Sequence, residues 1–151
     1  MAHQGRYILQ NPSKYIGDPD RIFYRSSWEK GFLAFLDFHP KVTRFSSEEI
    51  IIPYVSPLDN KVHRYFPDFW VEFQSGRKTI IEIKPYSQSV EPKLPKKGAK
   101  ASKLKVYESA LQTYLVNQAK WQAADQFCKK NGLVFEVFTE KELATLGFKF
   151  L

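Results

Sequence analysis

The chain has 151 residues, of which 43% are hydrophobic and 16% aromatic. This length and composition predict a single domain over residues 1–151 with its own apolar core. The formal net charge of +7 indicates a polyanionic partner, although a basic protein without such a partner has the same composition. The single cysteine excludes an intrachain disulfide. No apolar stretch approaches the roughly 20 residues of a membrane helix, so we expect no membrane partner.

The N-terminal segment divides into an arm and a helix. Residues 1–20 are polar, contain glycine and proline and carry positive charge, which predicts a basic, extended N-terminal arm. Residues 26–38 have apolar side chains at helical spacing after a serine N-cap, which predicts a helix. Glu29, in the first turn, has two interpretations. It is either the acid of an S-x-x-E capping box or a third acidic ligand, or water-positioning group, of a catalytic site.

Three apolar runs of strand character follow the helix. Residues 41–56 predict a strand centred on Ile50–Tyr54, and Pro53 inside it argues for an edge position. The runs 65–73 and 79–84 are separated by a short polar connection that contains a glycine. This spacing predicts a β-hairpin.

Asp68, Glu82 and Lys84 are expected to share one face of this hairpin. Side chains alternate along a strand, so Glu82 and Lys84 emerge on the same face. Asp68 follows Pro67 near the start of the neighbouring strand, where antiparallel pairing would bring its carboxylate close to Glu82. Two carboxylates with open positions for water and a phosphate oxygen suit Mg²⁺, with Mn²⁺ as a substitute.

These residue types in this order indicate phosphodiester hydrolysis. A metal held by the two carboxylates would polarise the phosphodiester and lower the pKa of a bound water. The lysine would hold that water or offset charge in the transition state. Pro67-Asp68 followed by Glu82-Ile83-Lys84 matches the PD-(D/E)xK nuclease signature. The alternative is a solvated hairpin face with an ordinary cross-strand Glu–Lys pair, worth about 0.2–1 kcal/mol.

Basic residues flank the hairpin on both sides. His63 and Arg64 lie upstream of Asp68 and are either phosphate contacts or exposed strand residues. Arginine grips phosphate bidentately, which favours the first interpretation for Arg64. Residues 85–105, rich in proline and lysine, predict a flexible loop beside the site that either contacts phosphates without sequence preference or serves only as a soluble connection. The lysines predicted to bind DNA there are Lys93, Lys96, Lys97, Lys100 and Lys103.

The C-terminal third completes an α/β fold. Residues 105–131 predict a long helix that stops at an Asn-Gly pair, and residues 133–138 predict a buried last strand. Thr139 and Glu142 stand in capping-box register for a short final helix. The order αβββαβ predicts a mixed four-stranded sheet flanked by helices, with the last strand parallel to its neighbour because a helix connects them.

This order, with the acidic pair on the second and third strands, resembles the core of restriction-endonuclease-like nucleases. Ser27-Trp28-Glu29 at the start of the first helix is similar to the S-x-W-E start of the transposon-end endonucleases in that superfamily. The resemblance implies a site of four residues. These are Glu29 and Asp68 with Glu82 and Lys84.

The resemblance also implies that a glutamine or lysine on the following helix joins the site. Gln118 and Lys120 are both candidates, but they lie roughly 200° apart around a helix. Both cannot face the site equally well. We expect Gln118 to face it and Lys120 to reach towards DNA.

Motifs along most of the chain are similar to those of the head-completion nucleases of T-even-like tailed phages. The resemblance implies trimming of packaged DNA at the head portal or neck before tail joining, portal and neck proteins as partners, and a place in the virion head and, during assembly, the host cytoplasm. Two alternatives stay open: a structural head or neck DNA-binding protein with little catalysis, and a host-encoded or mobile-element repair nuclease. A homodimer that cuts both strands also stays open. The motifs are Asn11–Tyr15, Tyr24–Glu29, Ser46–Tyr54, His63–Phe69, Glu82–Tyr86, Asn117–Trp121 and Thr139–Leu143.

Overall fold

A computed structural model of the chain describes residues 4–146. The first three residues of the predicted arm and residues 147–151 lie outside the described residues. The strands are β1 (Gly5–Arg6), β2 (Phe23–Tyr24), β3 (Val42–Ser47), β4 (Ile52–Val55), β5 (Val62–Tyr65), β6 (Phe69–Phe73), β7 (Lys78–Ile83) and β8 (Val134–Phe138). The helices are α1 (Ser27–Phe38), α2 (Tyr86–Ser89), α3 (Ala101–Lys130) and α4 (Glu140–Thr145), with a 3₁₀ turn at Pro12–Lys14.

A mixed four-stranded sheet forms the centre of the molecule. Its strand order is β3-β6-β7-β8. β3, β6 and β7 pair antiparallel, whereas β8 pairs parallel with β7 after the chain crosses over through α3. A parallel neighbour requires such a crossover. The predicted α/β fold with a mixed four-stranded sheet is therefore confirmed.

The predicted single strand over residues 41–56 is wrong. The chain forms β3 at Val42–Ser47 in the central sheet and then β4 at Ile52–Val55, which pairs with β5 in a separate two-stranded sheet. Between them Glu48 adopts a left-handed backbone with φ of 56°, and this turns the chain out of the central sheet. Pro53 lies in the small sheet, where a missing backbone donor removes no bond from the central ladder.

The β6–β7 hairpin contributes to a hydrophobic cluster on each of its two faces. Its turn is closed by a hydrogen bond from the Phe73 amide to the Arg77 carbonyl, 2.9 Å long, with Gly76 at φ of 89°. Ile81 packs in the cluster that contains the buried face of α1, whereas Ile80 packs with α3 and the β4–β5 sheet. Side chains alternate along β7, so Glu82 lies on the same face as Ile80, towards α3.

The N-terminal arm packs on the end of α1. Tyr7 and Tyr15 are buried in the core cluster that includes α1. The carboxylate of Asp37, buried near the end of α1, accepts hydrogen bonds from the Tyr7 hydroxyl and from backbone amides of the arm. Lys14 Nζ donates to the carbonyls of Leu36, Asp37 and His39 at 2.9–3.0 Å. A lysine therefore satisfies carbonyls that have no partner within the helix.

The predicted loop over residues 85–105 is more ordered than expected. It contains the short helix α2, and α3 begins at Ala101 instead of residue 105. Gly98 has φ of 84°, and residues 101–131 contain neither proline nor glycine, so their intrinsic preference allows a helix to begin there. Lys103 consequently lies on α3, whereas Lys93, Lys96 and Lys97 lie on the connection before it.

Candidate active site

The hairpin register brings Asp68 and Glu82 together, as the alternation predicted. Phe69 pairs with Ile81, which places the residue before β6 beside the end of β7. The Asp68 amide donates to Glu82 Oε1 at 3.2 Å, and the Ile83 amide donates to Asp68 Oδ2 at 2.8 Å. Hydrogen bonds from backbone amides therefore hold both carboxylates in place.

Burial makes this carboxylate pair electrostatically unfavourable. Glu82 is only 8% exposed. Burial, followed by the nearby charge of Glu82, raises the pKa of Asp68 well above its usual range. Burial also raises the pKa of Glu82, although the Lys84 charge opposes this. A cation beside the pair would compensate the two buried negative charges.

Two lysines face the carboxylates from different elements. Lys84, at the end of β7, and Lys120, on α3, both line the cleft that contains Asp68 and Glu82. Burial lowers the pKa of Lys120, while the Glu82 charge raises it. Lys120 Nζ also lies 5.6 Å from the ring centre of Tyr65, within the range of a cation–π contact. The cleft therefore pairs buried carboxylates with amines from the sheet and from the helix.

The whole cleft has a volume of about 650 Å³ and opens at the end of the sheet where β6 begins and β7 ends. Its walls come from the start of α1, the turn after β3, β5 with the residues after it, the ends of β6 and β7, and α3. The lining residues are Arg25, Glu29, Glu48, Arg64, Tyr65, Phe66, Asp68, Glu82, Lys84 and Lys120.

A protein-family comparison now identifies the group to which this fold and cleft belong. The family described as "TnsA-like endonuclease N terminal" matches residues 39–140. The chain belongs to this family. It is also 41% identical over 149 residues to the head completion nuclease of Enterobacteria phage T4, and the comparison covers 99% of each chain. These findings confirm the resemblance drawn from the sequence, the restriction-endonuclease-like fold class and the broad assignment as a nuclease.

The TnsA-like match covers most of the cleft but not all of it. Asp68, Glu82, Lys84 and Lys120 lie within residues 39–140, whereas Glu29 precedes them. Glu29 approaches from α1, which packs on the opposite face of the sheet from Lys120. Its carboxylate accepts a hydrogen bond from the Arg25 amide at 2.5 Å, and its charge contributes to the raised pKa of Asp68. Glu29 therefore reaches the cleft from its edge.

The carboxylate pair fits a magnesium ion better than a metal that needs a full set of protein ligands. Among residues 4–146, no group of three or more acidic, histidine or cysteine side chains stands close enough together to hold a metal. Mg²⁺ usually binds one or two carboxylates and keeps its other positions for water and substrate phosphate. Asp68 and Glu82 provide such a donor set.

A buried hydroxyl at the base of the cleft points to further polar ligands. The Tyr65 hydroxyl lies near enough to Glu82 to favour the charged form of that carboxylate. Yet it forms no hydrogen bond of ordinary geometry with any residue in the described part of the chain. A buried polar atom without a partner usually finds one in water or a ligand. This observation agrees with a site that water and a phosphate oxygen complete.

The structure places Lys120, and not Gln118, in the cleft. Gln118 is exposed and is absent from the cleft lining, whereas Lys120 lines it. The preference for Gln118 is therefore corrected. The buried residues of α3 are Asn117, Ala124 and Cys128, and they define which side of the helix faces the sheet. The sequence around residue 118 did not determine that orientation.

The other predicted DNA contacts divide into two groups. Arg64 lines the cleft beside Asp68, whereas His63 forms a hydrogen bond with Asp59 at 2.8 Å and is outside the cleft lining. The predicted lysines of the connection and α3 lie outside that lining too, and all are exposed. They remain candidates for contacts with DNA that extends beyond the cleft. They are Lys93, Lys96, Lys97, Lys100 and Lys103.

Two further cleft residues, Arg25 and Glu48, were missed by the sequence analysis. They form an ion pair across the cleft edge, and the Glu48 amide donates to the Asp68 carbonyl at 3.0 Å. The sequence analysis did not single out Glu48, because the left-handed backbone that turns it towards the cleft leaves no trace in hydrophobic periodicity. Arg25 stands within the Tyr24–Glu29 motif and Glu48 within the Ser46–Tyr54 motif, so both motifs were usable signals.

Proposed function

We propose that this chain is a Mg²⁺-dependent DNA endonuclease that acts in phage head completion. The observation that carries the proposal is the buried Asp68–Glu82 pair, which two lysines face across a single open cleft. Family membership supports the nuclease class, and the name of the T4 relative supports the stage of phage assembly.

The residues of the cleft would each have a separate role in the reaction. Asp68 and Glu82 would hold the ion, which supplies charge to polarise the phosphodiester and to acidify water. Lys84 would orient the attacking water and offset negative charge as it builds on the phosphate oxygens. Water attacks phosphorus in line, the bond to the 3′ oxygen breaks, and that oxygen gains a proton. The products are a 5′-phosphate and a 3′-hydroxyl.

Lys120 and Arg64 would position the DNA backbone. Lys120 lies over Tyr65 and near Glu82, where its ammonium group can meet a phosphate oxygen of the bound strand. Arg64 also lines the cleft and offers a planar fork that matches phosphate geometry. The exposed lysines before and at the start of α3 would add contacts that are independent of sequence. Glu29, at the cleft edge, would orient a water.

The biological step proposed is the trimming of DNA at the portal or neck of a filled head before tail joining. Portal and neck proteins are the expected protein partners, and the virion head and the host cytoplasm during assembly are the expected locations. The name of the T4 relative, head completion nuclease, supports this step. Within residues 4–146, no helix is both long and apolar enough to cross a membrane.

A second candidate function is a structural head or neck protein that binds DNA without cutting it. The observation that favours it is the position of the exposed lysines outside the cleft lining, since binding through them needs no carboxylates. The buried carboxylate pair argues against it, because two like charges in one buried site destabilise a fold that has no use for them.

Cleavage of plasmid and linear duplex DNA by the purified protein tests the proposal. The assay compares Mg²⁺, Mn²⁺ and chelator for the wild type, Lys84→Ala and Lys78→Ala. Lys78 is the matched control, since it is an exposed lysine at the start of β7, whereas Lys84 directly follows the end of that strand. We expect metal-dependent cutting by the wild type and by Lys78→Ala, and loss of cutting in Lys84→Ala. Cutting at the wild-type rate by Lys84→Ala would refute the assignment of the site.

A further inference from the structure

Arg64, Phe66 and Asp68 are close in sequence, and all three line the cleft. Arg64 is in β5, whereas Phe66 and Asp68 are in the connection between β5 and β6. Tyr65 also lines the cleft but is buried, as is Pro67. An arginine, an exposed aromatic ring and one carboxylate of the proposed metal site therefore stand in the lining of the same cleft.

Phe66 is exposed in a cleft whose other walls are charged. Its side chain is 42% exposed, whereas Tyr65, the other aromatic residue of the lining, is 3% exposed. The guanidinium carbon of Arg64 lies 5.6 Å from the centre of the Phe66 ring, which is a cation–π contact. Single exposed apolar residues are common. This one differs because it lines the same cleft as the carboxylate pair and is in contact with an arginine.

We propose that Phe66 stacks on an unpaired nucleobase next to the scissile phosphate, so that the preferred substrate is DNA with a single-stranded or frayed end. The inference rests on the proposed nuclease function and names the substrate class for the same cleft. Phe66 would supply the stacking face, and Arg64 would bind the phosphate of the same nucleotide.

The chemistry of DNA explains why an aromatic ring selects unpaired bases. In duplex DNA each base is covered by its neighbours in the stack, so a protein meets only base edges in the grooves. A base in a single strand offers its whole face, and stacking on an aromatic side chain is a recurring way to bind it. Stacking tolerates every base, which suits an enzyme that must trim any sequence.

Fluorescence of 2-aminopurine tests the stacking without any cleavage. The base is placed at successive positions of a single-stranded overhang on a duplex, and chelator is present. The wild type and Phe66→Trp should quench the base at one position of the overhang, whereas Phe66→Ala and Phe66→Leu should not. Phe66→Ala should bind the overhang about fivefold to 150-fold more weakly, the range of losing one stacked base. Phe38→Ala, which removes a ring 61% exposed outside the cleft lining, is the matched control and should bind as the wild type does.

Salt dependence separates stacking from charge. Phe66→Ala should leave the slope of binding affinity against salt concentration unchanged, because the ring neutralises no phosphate. Arg64→Gln should reduce that slope by about 1. Circular dichroism and the melting temperature of each variant would show that weaker binding does not come from an unfolded protein.

Substrate preference gives the second test. With Mg²⁺, DNA with a single-stranded overhang should be cut faster than a blunt or covalently closed duplex, and Phe66→Ala should reduce this preference. The proposal is overturned if Phe66→Ala quenches as the wild type does, or if its binding defect is equally large on a closed duplex, which would indicate insertion into a stacked step. Quenching without cutting would count against the proposed nuclease function alone and would still support the stacking.

Discussion

The contact between the N-terminal arm and α1 allows a stability prediction with a defined size. Asp37 is fully buried at 0% exposure. Its carboxylate accepts hydrogen bonds of 2.9 Å from the Tyr7 hydroxyl, the Gln10 amide and the Asn11 amide. The perturbation is Asp37→Asn, which keeps the shape of the side chain but turns one acceptor oxygen into a donor nitrogen.

The asparagine amide can accept from only one of the two backbone amides. The other amide becomes a buried donor without a partner, which costs about 1–3 kcal/mol, and the remaining bonds lose the benefit of the negative charge. We therefore expect Asp37→Asn to lower the free energy of unfolding by about 2–4 kcal/mol. For a domain of this size, that is a fall in melting temperature of roughly 4–16 °C, at about 2–4 °C per kcal/mol.

Urea and thermal unfolding followed by circular dichroism measure this change. Asp20→Asn is the matched control in the same arm, because Asp20 forms an ion pair with Arg6 but its side chain is 79% exposed. Its effect should stay within about 0.5 kcal/mol. A change of that small size for Asp37→Asn as well would refute the view that the arm is fixed by this carboxylate.

Three further predictions concern pH and the helix that faces the cleft. Hydrogen bonds from Thr139 lower the pKa of Glu142. The stability that Glu142 contributes is therefore full above the unfolded carboxyl pKa near 4.3 and is lost as pH falls through the lowered pKa of the folded protein. Glu142→Ala should lower the free energy of unfolding, measured in urea, by about 1 kcal/mol at pH 7 and by less in acid. Burial and the contact with Asp37 raise the pKa of Tyr7. The stability that Tyr7 contributes is therefore full below the unfolded tyrosine pKa near 10 and declines as pH rises further. Between neutral and alkaline pH, the melting temperature should fall less steeply for Tyr7→Phe than for the wild type, and equal falls would contradict this prediction. Lys120→Ala should reduce cleavage more than Gln118→Ala does, since of these two residues only Lys120 lines the cleft. Lys120→Ala should also reduce the slope of log affinity for DNA against log salt concentration by about 1. Equal effects of the two variants would argue against the observed orientation of α3 about its axis.

The hairpin and its acidic pair were predictable because their signals are local. Alternation along two strands and a four-residue connection set the pairing of β6 with β7, and the register follows from the turn. Asp68 and Glu82 are then neighbours by geometry alone, and the hydrogen bond from the Asp68 amide to the Glu82 carboxylate agrees. The long helix was predicted, although it begins at Ala101 and not at residue 105. The last strand was predicted as parallel to its neighbour, which is correct, and as buried, which is wrong because no residue of Val134–Phe138 is fully buried.

The features that were missed depend on contacts between distant parts of the chain. The run at Ile50–Tyr54 is the more apolar stretch, yet the central sheet contains Val42–Ser47, and the chain leaves that sheet at Glu48, which has a left-handed backbone. The choice between Gln118 and Lys120 depends on how α3 docks on the sheet. The hydrogen bonds between the arm and Asp37 join residues 26–30 positions apart, which no pattern in a single sequence reveals.

Calorimetric titration of Mn²⁺ into the purified protein tests most directly whether Asp68 and Glu82 hold a metal ion. The wild type should bind the ion, and Asp68→Asn should bind it at least about tenfold more weakly, since one of two charged ligands is lost. Glu72→Gln is the matched control, because Glu72 is an acidic residue of the same hairpin that instead pairs with Arg44, and it should bind as the wild type does. Unchanged affinity in a folded Asp68→Asn protein would contradict the assignment of the metal to this carboxylate pair.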